Sequence, residues 1–150
     1  MVPVLPFIVL ALTLPRPTSS CSYPELCIGA CFAHDPTIIQ RTSDSKYFKS
    51  NTGPGIEIAT SDSLSGPWTL QGYVLPNGSS IDNAGKKDPW DPDVHLVGDE
   101  YFLYYAVSTF GSQVSAAGLA TSGSMEPGSW TDRGGVGVAS KKGQAYNASK

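Results

Sequence analysis

The chain has 150 residues, of which 40% are hydrophobic and only 15% charged, with 16 Gly, 12 Pro and 7 Tyr. This length fits one ordinary domain, and the small charged fraction argues against a chain that is disordered through excess charge. A formal net charge of −3 provides no basic surface for a nucleic-acid backbone, so the sequence excludes nucleic acid as an expected partner.

The N-terminal stretch MVPVLPFIVLALTLPRPTSS is apolar from Val2 to Leu14. That run is shorter than the about 20 residues that a membrane-spanning helix needs, so no membrane is expected as a partner. Small residues follow at Thr18–Ser20, as they do before a signal-peptidase cleavage site. The sequence therefore predicts a signal peptide over residues 1–20, a mature domain over residues 21–150, and a secreted, extracellular protein. A buried N-terminal strand is the alternative interpretation.

Secretion would place the cysteines Cys21, Cys27 and Cys31 in an oxidising compartment, which favours a disulfide among them. Three pairings are open, and each leaves one thiol over. Zinc is a weaker alternative, because the two histidines are distant in sequence and there is no second cysteine pair. The sequons that begin at Asn77 and Asn147 make these two residues candidate N-glycosylation sites.

A repeat runs through the middle of the chain. The segment IEIATSDSLSGPWT at Ile56–Thr69 matches AGLATSGSMEPGSWT at Ala117–Thr131, with one residue inserted before the Trp-Thr pair. Upstream, the segment DPTII corresponds to DPDVH, and the segment KYFKS corresponds to EYFLYYAVS, in the same order along the chain. Four anchors in one order indicate two copies of a single structural unit.

Each copy reads as four strands, because β-branched and aromatic runs alternate with Gly, Pro, Asp and Ser turns. The predicted strands are Thr37–Arg41, Lys46–Asn51, Ile56–Ser61, Trp68–Tyr73, Asp93–Val97, Tyr101–Ser108, Ala116–Ser122 and Trp130–Val136. A repeated four-stranded antiparallel unit is typical of β-propeller blades, and a β-sandwich is the competing fold. Since known propellers have about 4 to 8 blades, two blades imply either that other chains complete the ring or that this is an incomplete form of a longer protein.

Each unit begins with an acidic residue next to proline, in His34-Asp35-Pro36 and in Trp90-Asp91-Pro92-Asp93. The innermost strands of a propeller start near its central pocket, so Asp35 and Asp93 are expected to project toward a common cavity. Proline is expected to restrict the preceding residue to extended geometry and so to hold its backbone in a fixed conformation. Clustered carboxylates raise one another's pKa, which suits general acid–base chemistry. Simple Asx-turns are the alternative.

Other chemistries find less support in the sequence. There is no Gly-x-Ser-x-Gly elbow and no Gly-rich phosphate loop. The oxygen-rich segment DPWDPDVH lacks EF-hand spacing, so calcium is disfavoured there. The aromatic residues Trp90, Tyr104 and Phe110 are candidates for stacking on sugar rings, although the alternating aromatics around Tyr104 also suit a hydrophobic core.

The motifs HDPTII, TGPGIEIATS, GPWT, PDVHLVGDEYFLYYAVSTFGS, GLATS and MEPGSWTDRG together resemble the fungal endo-1,5-α-L-arabinanases of glycoside hydrolase family 43. The similarity runs from CIGACFAHDP to GQAYNA. It implies an all-β, five-bladed propeller of which about two to two and a half blades are present, so that residues 21–150 form the N-terminal part of the catalytic domain. It also implies inverting hydrolysis of the α-1,5-arabinan side chains of pectin, by a protein that is a monomer when intact.

The resemblance also implies roles for individual residues. Asp35 matches the family's general base, and Asp35, Asp93, Phe110 and Gly118 match positions that bind arabinan. The chemistry needs no cofactor, and the ligands of the family's central metal ion lie in a part absent from this chain, so no metal-binding residue is predicted. The family's Trp-Ala-Pro-Asp reads Trp90-Asp91-Pro92-Asp93 here, which adds a charge beside the groove.

The end of the chain departs from the family pattern. The family reads Asn-Ala-Ile-Asp where this chain has Asn147-Ala148-Ser149-Lys150, so Lys150 replaces the aspartate that tunes the general acid. The general-acid glutamate also lies further along in the family. The alternative function is therefore a catalytically inactive truncated fragment with residual carbohydrate binding or no function. An unrelated disulfide-bonded secreted effector is a third possibility, which the long resemblance disfavours.

Overall fold

The protein is described by a computed structural model that covers residues 26–141, and this range consists of strands and turns without a helix. The signal-peptide prediction, Cys21 and Asn147 lie outside the described residues. The eight strands are β1 Thr37–Gln40, β2 Tyr47–Asn51, β3 Glu57–Ser61, β4 Thr69–Tyr73, β5 Trp90–Val97, β6 Glu100–Val107, β7 Ser115–Ser122 and β8 Thr131–Ser140.

The strands form two antiparallel sheets, with the orders β1-β2-β3-β4 and β5-β6-β7-β8. Each strand pairs with the next one along the chain, and no strand crosses to the other sheet. This connectivity is that of two propeller blades, so the predicted all-β fold and the repeat are confirmed. The described residues contain no helix long and apolar enough to cross a membrane.

Strands β5, β7 and β8 are longer than predicted. Strand β5 begins at Trp90, which pairs with Ala106, and pairing resumes at Asp93 opposite Tyr104. The two residues between them oppose a single residue of β6, which is the geometry of a β-bulge. The predicted strand begins only at Asp93, after Pro92, whereas the bulge accommodates the proline within β5.

The two sheets share one apolar core. Its fully buried side chains include Ile56 and Ile58 from the first unit and Leu103, Val107 and Met125 from the second. Burying a side chain of this size contributes about 1.5–3 kcal/mol relative to leaving it exposed. The shared core therefore fixes the position of one sheet against the other and brings β1 next to β5.

The linker between the sheets, residues 74–89, is tied to the second sheet by a buried polar network. The Tyr105 hydroxyl donates to Asp132 Oδ1 at 2.6 Å and lies 2.9 Å from Ser79 Oγ. The backbone N–H of Ser80 donates to Asp132 Oδ2 at 2.7 Å. Burial alone would raise the pKa of Asp132, but the hydrogen bonds from Tyr105 and Ser80 outweigh burial and hold it below its usual value.

A second link between the units is Arg41, which lies in the turn after β1. Its Nη1 donates to Ser124 O at 2.6 Å and to Glu126 Oε1 at 2.8 Å, both in the β7–β8 connection. The same guanidinium forms two hydrogen bonds with Asp44, of 3.0 and 2.7 Å, and lies over the Phe48 ring. The hydrogen bond with Arg41 is the main cause that lowers the pKa of Asp44 to about 2.

Replacing Arg41 with alanine should therefore destabilise the fold. We expect Arg41→Ala to lower the free energy of unfolding by about 1.5–3 kcal/mol, because hydrogen bonds to charged groups are lost and Glu126 loses its partner. Urea unfolding at neutral pH measures this cost. It should persist down to about pH 4 and shrink as the pH falls toward 2, where Asp44 takes up its proton in the folded state.

Lys46→Ala provides the matched control, since Lys46 also lies in this region and pairs with an exposed partner, Asp62, at 2.6 Å. Exposed ion pairs contribute little to stability, so this variant should unfold close to the wild type. Equal effects of Arg41→Ala and Lys46→Ala would contradict the assignment of Arg41 as the link between the sheets.

The Tyr105 network supplies a second prediction. Tyr105→Phe should lower the free energy of unfolding by about 1–2 kcal/mol at pH 7, because half-buried Asp132 loses a hydrogen-bond donor. Since the pKa of Asp132 is lowered in the folded state, this stabilisation is present above the usual aspartate pKa and is lost at lower pH. The cost of the substitution should therefore shrink below about pH 4.

Tyr104→Phe is the control for this measurement. Tyr104 is the neighbouring residue of β6, is exposed, and makes no side-chain hydrogen bond among residues 26–141. Removing the Tyr104 hydroxyl should change the free energy of unfolding little at any pH. A Tyr105→Phe cost that stays constant from pH 7 to pH 3 would contradict the role given to Asp132.

Candidate active site

Two acid-proline corners mark the beginnings of the inner strands. Asp35 immediately precedes Pro36 and β1, and Asp91 lies in the bulge of β5 before Pro92. Their φ angles are 47° and 50°, so both residues adopt the left-handed region. The expectation of extended geometry at these residues is wrong: the chain turns sharply at each aspartate, and proline follows the turn. Non-glycine residues rarely take this conformation, and such residues concentrate at functional sites.

The inner strands β1 and β5 lie side by side, which brings the two corners together. The backbone N–H of Val94 in β5 donates to Thr37 Oγ1 in β1 at 3.3 Å. This contact joins the first residue after Pro36 to the second residue after Pro92. The two corners therefore lie next to each other.

Thr52, the residue after β2, connects the corners directly. Its backbone N–H donates to the carbonyl of His34 at 2.9 Å, and its hydroxyl donates to Asp35 Oδ2 at 3.2 Å. The same hydroxyl oxygen accepts the backbone N–H of Asp91 at 3.0 Å. Sequence analysis missed Thr52, because it stands in an ordinary Thr-Gly-Pro-Gly turn and only the packing of the sheets reveals its contacts.

Through Thr52, the Asp35 carboxyl and the Asp91 backbone lie close together. The pKa of Asp91 is raised, first by the burial of its carboxyl and then by the hydrogen bond and the negative charge of Asp35. His34 opposes this increase, since its Nε2 lies 3.4 Å from Asp35 Oδ2 in the same cluster. Asp91 retains exposed surface, but neighbouring protein atoms still remove part of the water from its carboxyl.

Asp93 lies 2.9 Å from His95 Nε2, with 65% of its side chain exposed. Residues 93 and 95 alternate with buried Val94 along β5, so both side chains point away from the core. The cavity expected between Asp35 and Asp93, and the role of Asp93 in binding substrate, stay predictions.

Phe110 is 99% exposed in the β6–β7 loop. It lines a cleft of about 260 Å³ together with Trp90, the residue before Asp91. Lys87 and Asp88 line the same cleft. An exposed aromatic ring next to an acidic corner is well suited to contact a sugar ring, so the structure is compatible with the predicted role of Phe110.

Gly118 is buried in the middle of β7. A Cβ atom at this position would overlap the ring of Tyr105 on β6, so only glycine leaves room for that ring. The observed reason for this glycine is therefore packing beneath the Tyr105 network. The predicted contact between Gly118 and substrate stays a prediction.

The segment that leads to Asp35 is held by a disulfide between Cys27 and Cys31. Lys49 of β2 lies behind it and donates from Nζ to the carbonyl of Ala30 at 2.6 Å. Burial lowers the pKa of Lys49, and the charge of Glu57 partly opposes this. Of the three cysteine pairings left open by the sequence, the structure adopts the one between Cys27 and Cys31, while Cys21 lies outside the described residues.

Two further predictions concern metals and glycans. Across residues 26–141, no three His, Cys, Asp or Glu side chains form a group that could hold a metal ion. Asn77 is exposed in the linker, whereas Ser79 of its sequon is buried against Tyr105. Glycosylation of Asn77 stays a prediction.

Comparisons with known proteins identify the family. Glycosyl hydrolases family 43 matches residues 26–147. The chain is 58% identical over 125 residues to a probable arabinan endo-1,5-alpha-L-arabinosidase C of Neosartorya fischeri, and 52% identical over 142 residues to a probable arabinan endo-1,5-alpha-L-arabinosidase A of Aspergillus fumigatus. These matches cover 83% and 95% of this chain but only 39% and 44% of the relatives, so the chain spans about two fifths of their length.

Solved structures give the same result. A GH43 endo-arabinanase from Bacillus licheniformis superposes with a TM-score of 0.71 and 31% identity, covering 82% of this chain and 43% of that one. The native arabinanase Arb43A of Bacillus subtilis gives a TM-score of 0.69 and 33% identity, covering 80% and 43%. The two sheets are thus blades of a β-propeller, and the chain belongs to glycosyl hydrolases family 43.

Proposed function

We propose that this chain is part of a secreted glycosidase that hydrolyses α-1,5-linked arabinan, with Asp35 as the general base. The observation that carries the proposal is the corner at Asp35, where an exposed carboxylate is held by Thr52. The chain around it is 58% identical to a probable arabinan endo-1,5-alpha-L-arabinosidase. A carboxylate held in this way can take a proton from water beside a bound sugar.

The proposed reaction proceeds with inversion. Asp35 accepts a proton from a water molecule, whose oxygen attacks the anomeric carbon while the bond to the leaving oxygen breaks. A second carboxylic acid protonates that leaving oxygen. In inverting enzymes the two carboxyl groups lie about 6.5–9.5 Å apart, to leave room for the water. Asp91 is linked to Asp35 through the Thr52 hydroxyl, and we place the acid outside residues 26–141. No cofactor takes part in these proton transfers.

The arabinan chain is proposed to run along the surface that contains both corners and the exposed Phe110 ring. Phe110 and Trp90 would contact sugar rings, and the exposed Asp93–His95 pair offers hydrogen-bonding groups. This arrangement follows the general pattern of sugar sites, in which aromatic faces provide contact area and a few polar groups fix orientation.

Secretion and action on the arabinan of pectin form part of the proposal. The apolar start of the chain and the Cys27–Cys31 disulfide both suit an exported protein, because disulfides persist in oxidising compartments. The intact protein is proposed to act as a monomer.

The second candidate function is carbohydrate binding without hydrolysis. One observation favours it: within the described part of the chain, the carboxylate in contact with Asp35 is Asp91, which cannot serve as the inverting acid. General acid catalysis typically contributes 10²–10⁴-fold to the rate. Without an acid, the exposed aromatic cleft could still bind arabinan.

Replacing Asp35 tests the proposal. The full 150-residue chain and its Asp35→Asn variant are incubated with linear arabinan, and new reducing ends are measured over time. We expect any release of reducing ends by the wild-type chain to fall by about 10²–10⁴-fold in Asp35→Asn, because the base is removed while the shape of the side chain is kept.

Asp62→Asn is the matched control, since Asp62 is an exposed aspartate of the same sheet that pairs with Lys46. It should hydrolyse arabinan like the wild type. Binding is measured in parallel by titration calorimetry with a short arabinan oligosaccharide. Binding without hydrolysis would support the second candidate function, and the absence of both would contradict each of them.

A further inference from the structure

A second cleft opens at the outer side of the two sheets, between the linker that follows β4 and the beginning of β8. Its volume is about 480 Å³, and among residues 26–141 it shares no lining residue with the cleft at Phe110. Asn77 and Ser80 line it from the linker, and Trp130 and Asp132 line it at the start of β8. Because neighbouring strands lie about 4.8 Å apart, about 14 Å separates β8 from the inner strand β5. This second cleft, the Trp130 cleft, therefore lies apart from the candidate active site.

The two repeats differ at this cleft. Trp130 is the counterpart of Trp68, since each precedes the threonine at which the outer strand of its unit begins. In the first unit, the N–H of Trp68 donates to the carbonyl of Ile28 and its carbonyl accepts from the N–H of Ala30, both at 2.8 Å, and Trp68 is only 4% exposed. Trp130 has no such backbone pairing among residues 26–141 and is partly exposed. The position that is covered in the first unit is therefore open in the second.

We propose that the Trp130 cleft binds one or two sugar units of a neutral polysaccharide, and so holds the polymer at a second site apart from the reaction. The indole ring provides an apolar face, and Asn77 and Ser80 provide hydrogen-bonding groups for the sugar hydroxyls. The choice of arabinan as the ligand to test rests on the proposed function, whereas the cleft itself does not.

The side chains that line the cleft have the chemistry that a sugar site requires. Such sites combine an aromatic face with a few polar groups that fix the orientation of the ligand. The indole N–H of Trp130 donates to the carbonyl of Met125 at 3.3 Å, which holds the ring in place. Asn77 is exposed, and its side-chain amide makes no hydrogen bond among residues 26–141. Both the donor and the acceptor of this amide can therefore bind hydroxyl groups.

Hydrogen bonds within the protein fix the walls of the cleft. The backbone N–H of Ser80 donates to Asp132 Oδ2 at 2.7 Å, which joins the linker to β8. Lys87 Nζ donates to the backbone carbonyl of Asn77 at 3.0 Å, which restrains the linker from its other side. A ligand therefore has little of the linker to order when it binds, and this lowers the cost of association.

The charge of Asp132 limits which polysaccharides can bind. Its carboxylate is ionised at neutral pH, because hydrogen bonds from Tyr105 and Ser80 hold its pKa below the usual value against the opposing effect of burial. A negative charge in the cleft repels acidic polymers such as polygalacturonate. The cleft should therefore select neutral sugar units.

A peptide is the alternative ligand, because residues 28–30 of this chain cover the counterpart position at Trp68. The first unit has Leu70 where the second has Asp132, at equivalent places in the two sheets. The open position therefore has a charged wall where the covered one has an apolar residue. This difference favours a ligand rich in hydroxyl groups over an apolar peptide segment.

Tryptophan NMR tests the proposal, because the three tryptophans of the chain report on three places. The full 150-residue chain is produced in a bacterial host, so that no glycan on Asn77 fills the cleft, and is titrated with a linear arabinan oligosaccharide. The indole N–H signals of Trp130, Trp90 and Trp68 report on the Trp130 cleft, the Phe110 cleft and the covered counterpart. We expect the Trp130 signal to shift and to saturate, and the Trp68 signal to stay in place. An oligogalacturonate of equal length should leave the Trp130 signal unchanged.

Asn77→Ala shows whether the ligand binds in this cleft. The substitution removes a side chain that lines the cleft, so the dissociation constant measured from the Trp130 signal should rise about three- to tenfold. Asp82→Ala is the matched control, because Asp82 is an exposed linker residue outside the lining of the cleft, and it should bind like the wild type. Dispersed amide spectra show that each variant is folded. Equal dissociation constants for Asn77→Ala and the wild type would overturn binding in this cleft.

The outcomes separate this proposal from the proposed function. If Trp90 shifts and Trp130 does not, the second site is wrong and the proposed function stands. If Trp130 shifts and Trp90 does not, the second site stands and the Phe110 cleft loses its proposed role in binding arabinan. If neither signal shifts, sugar binding fails at both clefts. A Trp130 shift with a peptide of residues 26–32, carrying serine in place of both cysteines, but not with the oligosaccharide would replace the sugar by a peptide ligand.

Discussion

The packing of two four-stranded sheets on one apolar core is the constraint on which the candidate site depends. Buried side chains from both units, such as Ile58 and Leu103, fill the space between the sheets. The inner strands β1 and β5 are edge strands of their sheets, and they lie side by side. The two acid-proline corners meet because the sheets pack in this way.

Apolar burial brings the corners close but does not determine how they are aimed, because the hydrophobic effect is non-directional. Their orientation comes from a few polar contacts. Thr52 is central among these, since its backbone binds the segment before Asp35 and its hydroxyl binds both corners. One small side chain at the end of β2 thus connects the two repeats where a sugar could bind.

The corners carry conformational strain that the surrounding structure supports. Left-handed φ values at residues other than glycine cost on the order of 1–3 kcal/mol each. The bulge in β5 lets pairing continue on both sides of Asp91, so the strand tolerates the turn. On the other side, the disulfide and Lys49 hold the segment that enters Asp35. Rigid supports of this kind keep a carboxylate in place when water and sugar compete for it.

The proximity of Asp35 and Asp91 also explains why their roles must differ. Two carboxyls in direct contact leave no space for the attacking water between them, so they cannot form the acid and base of an inverting reaction.

Much of the fold could be predicted from the sequence, because strand and turn signals are local. Alternating apolar residues between Gly, Pro and Asp turns indicated all eight strands, and the repeated Ala-Thr-Ser and Trp-Thr motifs indicated two equivalent units. The same repeat aligned Asp35 with Asp91, and the family resemblance singled out Asp35. The predicted strand ends were less accurate where a β-bulge accommodates Pro92, because a proline in the sequence indicates the end of a strand.

What the sequence could not supply depends on contacts between residues that are distant along the chain. The sequence by itself determined the strands, the two repeats, the family and the identity of the acidic corners, because each of these is encoded in short runs of residues. Only the tertiary structure decided that Thr52 joins Asp35 to the backbone of Asp91 and that Gly118 makes room for Tyr105. The physical reason is that these contacts arise from the packing of one sheet against the other, and no local pattern specifies that packing.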